Sequence, residues 1–194
     1  MRRAFLAAER TYLRPLERAD APRLLEFVAV PDVRRALRLG PADPASDAAF
    51  VGALVEPQDA LLLAVAARDD DRLVGLCGLH RLGERAREAE LGIFIGDPAE
   101  WGKGFGSEAT RLLVGYGFRA LDLDRVRLEV HADHARAIRA YERAGFRLDR
   151  TPPPVAAAPP PGFPDTPGFP GSDAAPLVSM SVLRSEWPLA APLR

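Results

Sequence analysis

The sequence holds one cysteine, one lysine and three histidines among 194 residues. A lone cysteine closes no intramolecular disulfide, and no cysteine–histidine cluster has zinc spacing. Cys77 lies in the apolar run Leu73-Val74-Gly75-Leu76-Cys77, which predicts a buried small hydrophobe rather than a nucleophile. Long apolar runs are missing as well. The stretch Ala4 to Ala8 stops at Glu9-Arg10, short of a signal-peptide core, and no later run approaches membrane-spanning length. Charge of one sign is also missing: 26 basic against 27 acidic side chains leave a net charge of -1. Bulk electrostatics therefore call for neither nucleic acid nor an anionic membrane. Arginine carries almost all the basic charge, Lys103 being the only lysine. With the abundance of alanine and proline, this reads as a GC-rich bacterial coding bias. A soluble cytoplasmic protein is expected.

What is present suits one globular domain: 47% hydrophobic and 27% charged residues is an ordinary balance at a length that can bury a substantial core. Thr11 to Leu16 reads as a first strand. Asp20, with Pro22 in the first turn, is placed to cap a helix whose apolar stripe is Leu24, Leu25 and Val28. A short helix is expected after Pro31-Asp32, and Ser46 or Asp47 caps another carrying Phe50, Ala53 and Leu54. Leu61 to Ala67 and Leu73 to Leu82 read as strands joined by an Asp69-Asp70-Asp71 turn, and Glu88 to Ile95 as the next. From Gly106 the period becomes helical through Ala109, Leu112, Leu113 and Tyr116, although Gly115 and Gly117 weaken it. Arg125 to Val130 alternates as a strand. His134 to Ala144 is a helix with Gly145 as its C-terminal cap, and Phe146 begins another strand. Thr151 to Pro176 is too proline-rich for a packed element, and Leu177 to Leu183 reads as a last strand after this insertion. The order predicts a mixed α/β layer architecture, with one domain over 1–194 and the insertion at about 151–176.

The chemistry concentrates in Glu100-Trp101-Gly102-Lys103-Gly104-Phe105-Gly106-Ser107-Glu108, between an apolar strand and a periodic helix. Alternate glycines clear side chains from a turn whose amides converge, and the helix behind it favours an anion. The physical expectation is a main-chain pyrophosphate cradle; a flexible glycine turn would carry the same triplet. The P-loop pattern fails, since Asp97 stands where it needs glycine and Gly104 where it needs Ser or Thr. The dinucleotide fingerprint fails because Ser107 stands where its third glycine belongs.

Ala89-Glu90-Leu91-Gly92-Ile93-Phe94-Ile95-Gly96-Asp97-Pro98, followed by Trp101 to Gly106, resembles the acetyl-CoA motif of the GNAT superfamily, written Q/R-x-x-G-x-G/A. Leu128 to Ile138, through Tyr141-Glu142-Arg143-Ala144-Gly145-Phe146, resembles that family's later strand–helix–strand motif. Leu13-Arg14-Pro15-Leu16…Asp20 and Met180 to Trp187 are similar to the branch of ribosomal-protein N-terminal acetyltransferases. Two positions depart from the pattern: Trp101 replaces the usual Gln or Arg, and His134 the usual Asn. Neutral histidine, like Asn, offers both a donor and an acceptor.

The resemblance implies a mostly antiparallel, seven-stranded sheet splayed between its fourth and fifth strands, with helices on both faces. It implies acetyl-CoA as co-substrate, a primary amine as acceptor, direct transfer, and no metal. Phe94, Ile95 and Gly96 would lie along the pantetheine, and Gly102, Lys103, Gly104, Phe105, Gly106 and Ser107 would hold the pyrophosphate. Lys103 either adds charge there or is simply solvated. Trp101, His134 and Ala137 would complete the coenzyme site. Tyr141 would protonate the departing thiolate, a reading its place in the motif favours over that of an amphipathic-helix tyrosine closing the core. Glu90 would act as general base, directly or through water, or stand as an edge carboxylate in a charged neighbourhood; His80, His131 and His134 are the alternatives. The acceptor stays open between a protein N-terminus and a small-molecule amine, and a homodimer is allowed. Two other functions fit the same residues: a non-catalytic acyl-CoA sensor, or an interaction domain using the Phe-Pro-rich loop.

Overall fold

The computed structural model describes residues 4–37, 39–55, 61–81, 87–149 and 176–187. Eight strands form one sheet: β1 (Leu6–Ala7), β2 (Thr11–Pro15), β3 (Leu61–Ala67), β4 (Leu73–Arg81), β5 (Glu88–Ile95), β6 (Arg125–His131), β7 (Arg147–Leu148) and β8 (Leu177–Leu183). Their spatial order is β1-β2-β3-β4-β5-β6-β8-β7. Every neighbouring pair is antiparallel except β5 with β6. The eighth strand, beyond the seven expected, is β1. It is two residues folded back on β2, with Phe5 N–H bonded to Leu13 O and Ala8 N–H to Thr11 O. Two residues carry no readable alternation, so periodicity could not find it.

Among the described residues five helices cover the sheet: α1 (Ala21–Val28), α2 (Pro31–Ala36), α3 (Pro44–Val55), α4 (Phe105–Ala120) and α5 (Ala135–Arg143). Strand alternation divides the core in two. On one face Leu13, Val65, Cys77, Leu79, Leu91, Val126, Leu128 and Met180 pack under α4. On the other, Leu62, Ala64, Leu76 and Phe94 pack under Leu24, Phe27, Val33, Val51 and Leu54 of α1, α2 and α3. Cys77 is buried, as its apolar context predicts, and desolvation pushes its thiol far above the ordinary range. β8 pairs with β6 over seven rungs, from Arg125↔Leu183 to His131↔Leu177, and with β7 on its other side. The last strand thus joins the sheet as expected, while residues 151–175 of the insertion lie outside the described residues.

Two capping expectations change. Asp20 precedes α1 but does not cap it. Its carboxylate takes a two-pronged ion pair from buried Arg14, both contacts at 2.7 Å, and accepts Glu17 N–H at 2.9 Å. α3 begins at Pro44, earlier than expected, where the Asp43 carboxylate accepts Ser46 N–H at 2.8 Å. Asp47 instead pairs with Arg34 at 2.8 Å. In both cases a nearby arginine offers a charged partner, and a charge-assisted bond outcompetes a neutral amide.

The feature that makes room for a ligand is the parting of β5 and β6. Glu88, Ala89 and Glu90 pair with Arg125, Val126 and Arg127, and the pairing stops there. β5 continues to Ile95 and β6 to His131 without a ladder between them. The expected splay is present.

Candidate active site

Beyond the last rung, β5 on one side and α5, with His131 at the end of β6, on the other enclose a cleft of about 990 Å³, at the upper end of the usual size for ligand pockets. β5 contributes Ile93, Phe94 and Ile95; the loop and first turns of α4 contribute Glu100 to Glu108; α5 contributes Ala137, Ala140 and Tyr141. Gly102 and Gly104 have φ of 81° and 97°, a left-handed backbone that side chains resist. Gly104 is the residue before α4, so the first amides of a 16-residue helix open toward the cleft with no intrahelical acceptor. Buried Glu108 fixes this turn by accepting the backbone N–H groups of Arg10 and Thr11, each at 3.0 Å, which ties α4 to the start of β2.

Trp101 departs from the motif and has a structural task of its own. Its indole N–H donates to Ile95 O at 2.7 Å, locking the loop onto the end of β5. The Arg136 guanidinium, from the first turn of α5, lies 4.0 Å from the ring centroid. Lys103 is not simply solvated: its ammonium pairs with buried Glu100 at 3.2 Å, which Arg72 also holds at 3.0 Å. Six basic side chains line the cleft against four acidic ones (Asp32, Glu100, Glu108 and Asp133). Glu100, Glu108 and Asp32 already have arginine or lysine partners. Arg111, Arg136 and Arg143 make no ion pair among the described residues, so the surplus is positive where phosphate charge would sit.

His134 directly precedes α5. Burial, reinforced by Arg136 and Arg35, holds its imidazole below the usual range. Both effects favour the neutral ring, whose donor–acceptor pair is the one Asn would offer. Tyr141 lies two turns along α5, its ring 6.0 Å from that of Phe146, and burial pushes its hydroxyl up to about 12. The α5 face of Ala137, Ile138 and Tyr141 packs on the α4-side core, yet no residue of α5 is buried. An apolar helix face left half-exposed along a cleft suits the hydrocarbon part of a ligand.

Gly96, Glu90 and the alternative base His80 stand apart from the cleft walls. Gly96 donates its N–H to Val74 O at 2.9 Å, and a Cβ there would lie 2.0 Å from Phe27. Its bareness serves the packing of α1 against the sheet. Glu90 lies at the last paired rung, on the α1–α3 face, opposite His80 on β4 and Arg127 on β6. Arg127 approaches its carboxylate at 3.3 Å. Burial raises the Glu90 carboxyl above its ordinary range, and Arg127 acts in the opposite sense. Around it on this face stand Glu88, Arg125 and Glu129, with Asp149 bound to the hydroxyls of Ser179 and Ser181 at 2.7 and 2.6 Å. All the other candidates, Phe94, Ile95, Trp101 through Ser107, His131, His134, Ala137 and Tyr141, line the one cleft. Sequence reasoning missed Asp32, Val33 and Arg35 of α2 and the arginines 111, 136 and 143. The α5 periodicity pointed to Ala137 and Tyr141, and Arg136 borders that face.

A GNAT acetyltransferase domain model matches residues 10–147. The chain belongs to the GNAT acetyltransferase family. It is 29% identical over 148 residues to N-acetyltransferase p20 of Bacillus licheniformis, itself uncharacterized, covering 74% of this chain and 83% of that protein. It is 33% identical over 144 residues to YdaF of Bacillus subtilis (strain 168), provisionally named as a ribosomal N-acetyltransferase, covering 71% and 78%. The fold matches the crystal structure of Vibrio cholerae spermidine N-acetyltransferase in complex with CoA and spermine. The TM-score is 0.69 at 21% identity, over 91% of this chain and 97% of that one. GNAT membership makes the protein an acetyl-CoA-dependent N-acetyltransferase. The cleft carries a bare-backbone turn, a helix N-terminus, three arginines without an ion pair among the described residues, and an apolar wall. Among the described residues no group of three or more His, Cys, Asp or Glu side chains is placed to hold a metal ion. Among them also, no helix is long and apolar enough to cross a membrane.

Proposed function

We propose that this GNAT enzyme holds acetyl-CoA along the β5–β6 cleft and passes the acetyl group directly to a primary amine arriving over the α1–α3 face. The observation that carries the reading is the parting of β5 and β6 just beyond Glu90 and Arg127. It leaves the main chain of Ile93 and the N–H of Ile95 without a β6 partner, between the glycine turn at one end and Tyr141 opposite. The amine nitrogen attacks the thioester carbonyl carbon, the C–N bond forms and the C–S bond breaks. A β5 amide near Phe94–Ile95 hydrogen-bonds the carbonyl oxygen as negative charge gathers there. Orientation within the cleft supplies much of the rate.

Tyr141 serves the sulfur side. A phenol near 12 lies well above an ordinary thiol at ~8.5. It therefore stabilises the departing thiolate by a hydrogen bond more readily than by handing over its proton. Glu90 serves the nitrogen side. It lies four residues from Phe94 on the same strand face, roughly 13 Å at strand spacing. The amine's proton thus reaches the carboxylate through water across Gly92. Glu88, Glu90, Glu129 and Asp149 outnumber Arg125 and Arg127 on this face, which favours a cationic acceptor. The resemblance to YdaF puts a protein N-terminal amine first among acceptors, ahead of polyamines and aminoglycosides.

The test is thiol release from acetyl-CoA with a panel of N-terminal peptides, polyamines and aminoglycosides. Turnover with an amine identifies the acceptor class. Tight acetyl-CoA binding with no thiol released for any amine would replace this reading with the non-catalytic sensor.

A further inference from the structure

Trp101 and Arg136 belong to opposite sides of the cleft, one to the loop after β5 and the other to the first turn of α5, and they are in contact. Trp101 cannot turn freely, because its indole N–H is engaged by Ile95 O at 2.7 Å. The guanidinium lies 4.0 Å from the ring centroid. A guanidinium held over a ring face is attracted through its charge, which leaves N–H donors for another partner. Among the described residues no carboxylate pairs with Arg136. Glu100 and Glu108 are held by Arg72, Lys103 and Arg10, and Asp133, one turn before Arg136, makes no ion pair with it. A planar, oriented and uncompensated cation thus faces a cleft whose neighbouring turn already favours phosphate.

We propose that Trp101 is a platform that holds Arg136 edge-on to a phosphate of the coenzyme, so that Arg136 binds the phosphate and Trp101 is its positioning residue. The proposal rests on the coenzyme reading given above. It also gives the tryptophan at the motif's Gln/Arg position a function: the cation is supplied from α5 and aimed by the indole. Two phosphate sources share this chemistry, the pyrophosphate and the 3′-phosphate of the ribose.

Calorimetric titration of CoA, dephospho-CoA and pantetheine into the parent, Arg136→Ala, Trp101→Leu and the double variant tests it. Arg136→Ala is expected to weaken CoA about tenfold, the scale of one charge-assisted hydrogen bond, and to leave pantetheine unchanged. Trp101→Leu should weaken CoA several-fold when Arg136 is present and less than about twofold when it is absent, the non-additivity expected of a coupled pair. Arg136→Lys keeps the charge but loses the stacked plane, and should recover less than half of the lost affinity on a logarithmic scale. If the Arg136→Ala defect vanishes with dephospho-CoA, the 3′-phosphate is the partner; if it persists, the pyrophosphate is. An Arg136→Ala protein that binds CoA like the parent overturns the inference. So does an equal cost of Trp101→Leu in both backgrounds, or full rescue by lysine. A parent that binds no CoA would fell the coenzyme reading itself, whereas the outcomes just named leave that reading standing.

Discussion

At Tyr141 burial keeps the hydroxyl protonated across the working pH range, so its contribution should be nearly independent of pH. Tyr141→Phe preserves the ring and its packing on Phe146 while removing the donor. A hydrogen bond to a charged group is worth ~1.5–3 kcal/mol, so kcat should fall about 10–100-fold with CoA affinity unchanged by calorimetry. A loss of less than about threefold would leave water as the donor. Glu90 titrates within reach of Arg127, and the sign of its effect follows from the base role proposed for it. A base works when ionised, so kcat/KM should fall as pH drops through the Glu90 pKa. Burial raises that pKa and Arg127 lowers it; Arg127→Met therefore moves the acid limb to higher pH, while Glu90→Gln abolishes that limb. If both profiles coincide with the parent's in shape, His80 on the facing strand is next to be tested as base. The position of Tyr141 in the cleft was legible because a helix period and a motif agree on it. The setting of Glu90 was not: its Arg127 partner lies 37 residues away, and only the three-rung parallel pairing brings the two together.

Among the elements, α4 shows how much of the site local sequence can specify. The alternating glycines and the helical period after Gly104 were readable, and the turn and helix stand where they predict. Glu108 gave no such signal, because its role is to hold the amides of Arg10 and Thr11, nearly a hundred residues away in the chain. The same element separates binding from folding. Gly104 at φ 97° resists any side chain, so substitution there mixes strain with blockage. Gly106 lies within the helix, and a Cβ there meets only Ile95 Cγ1, at 3.6 Å. Gly106→Val is thus the cleaner variant: it should leave the melting temperature within about 2 °C, because surface-like substitutions cost within ~0.5 kcal/mol. CoA affinity should nevertheless fall at least tenfold, since the added methyls occupy the space over the helix amides. Unchanged affinity in a folded Gly106→Val protein would reduce the cradle to a turn. Asp20 and Asp47 teach the converse. Both carry the residue type of a helix cap, and both are drawn instead to arginines that only the fold brings near.

For the whole molecule, the layer order and the splay followed from the strand and helix periods together with the family pattern. The two-residue β1 and the approach of α2 to the cleft did not, because they depend on tertiary contacts rather than on period. The proline-rich stretch bears on how the sheet is completed. Its described flanks lie side by side: Arg147 pairs with Ser181, Leu148 with Met180, and Asp149 N–H donates to Ser179 O at 3.0 Å. β8 is held independently by seven rungs to β6, with Val178, Met180 and Val182 in the α4-side core. The pairing therefore does not require a long connection, and a short one spans the same two strand ends. Replacing residues 151–175 with a four-residue Gly-Ser turn should leave the domain folded. Shortening a closed loop about sixfold favours the native state by roughly 1.6 kcal/mol, so the melting temperature should hold or rise by a few degrees. Thiol release with the best acceptor then reports what the segment does for function. Unfolding on replacement would show that the stretch packs as part of the domain. A folded protein that turns over acetyl-CoA normally but no longer captures a protein partner would assign the Phe-Pro repeats to recognition.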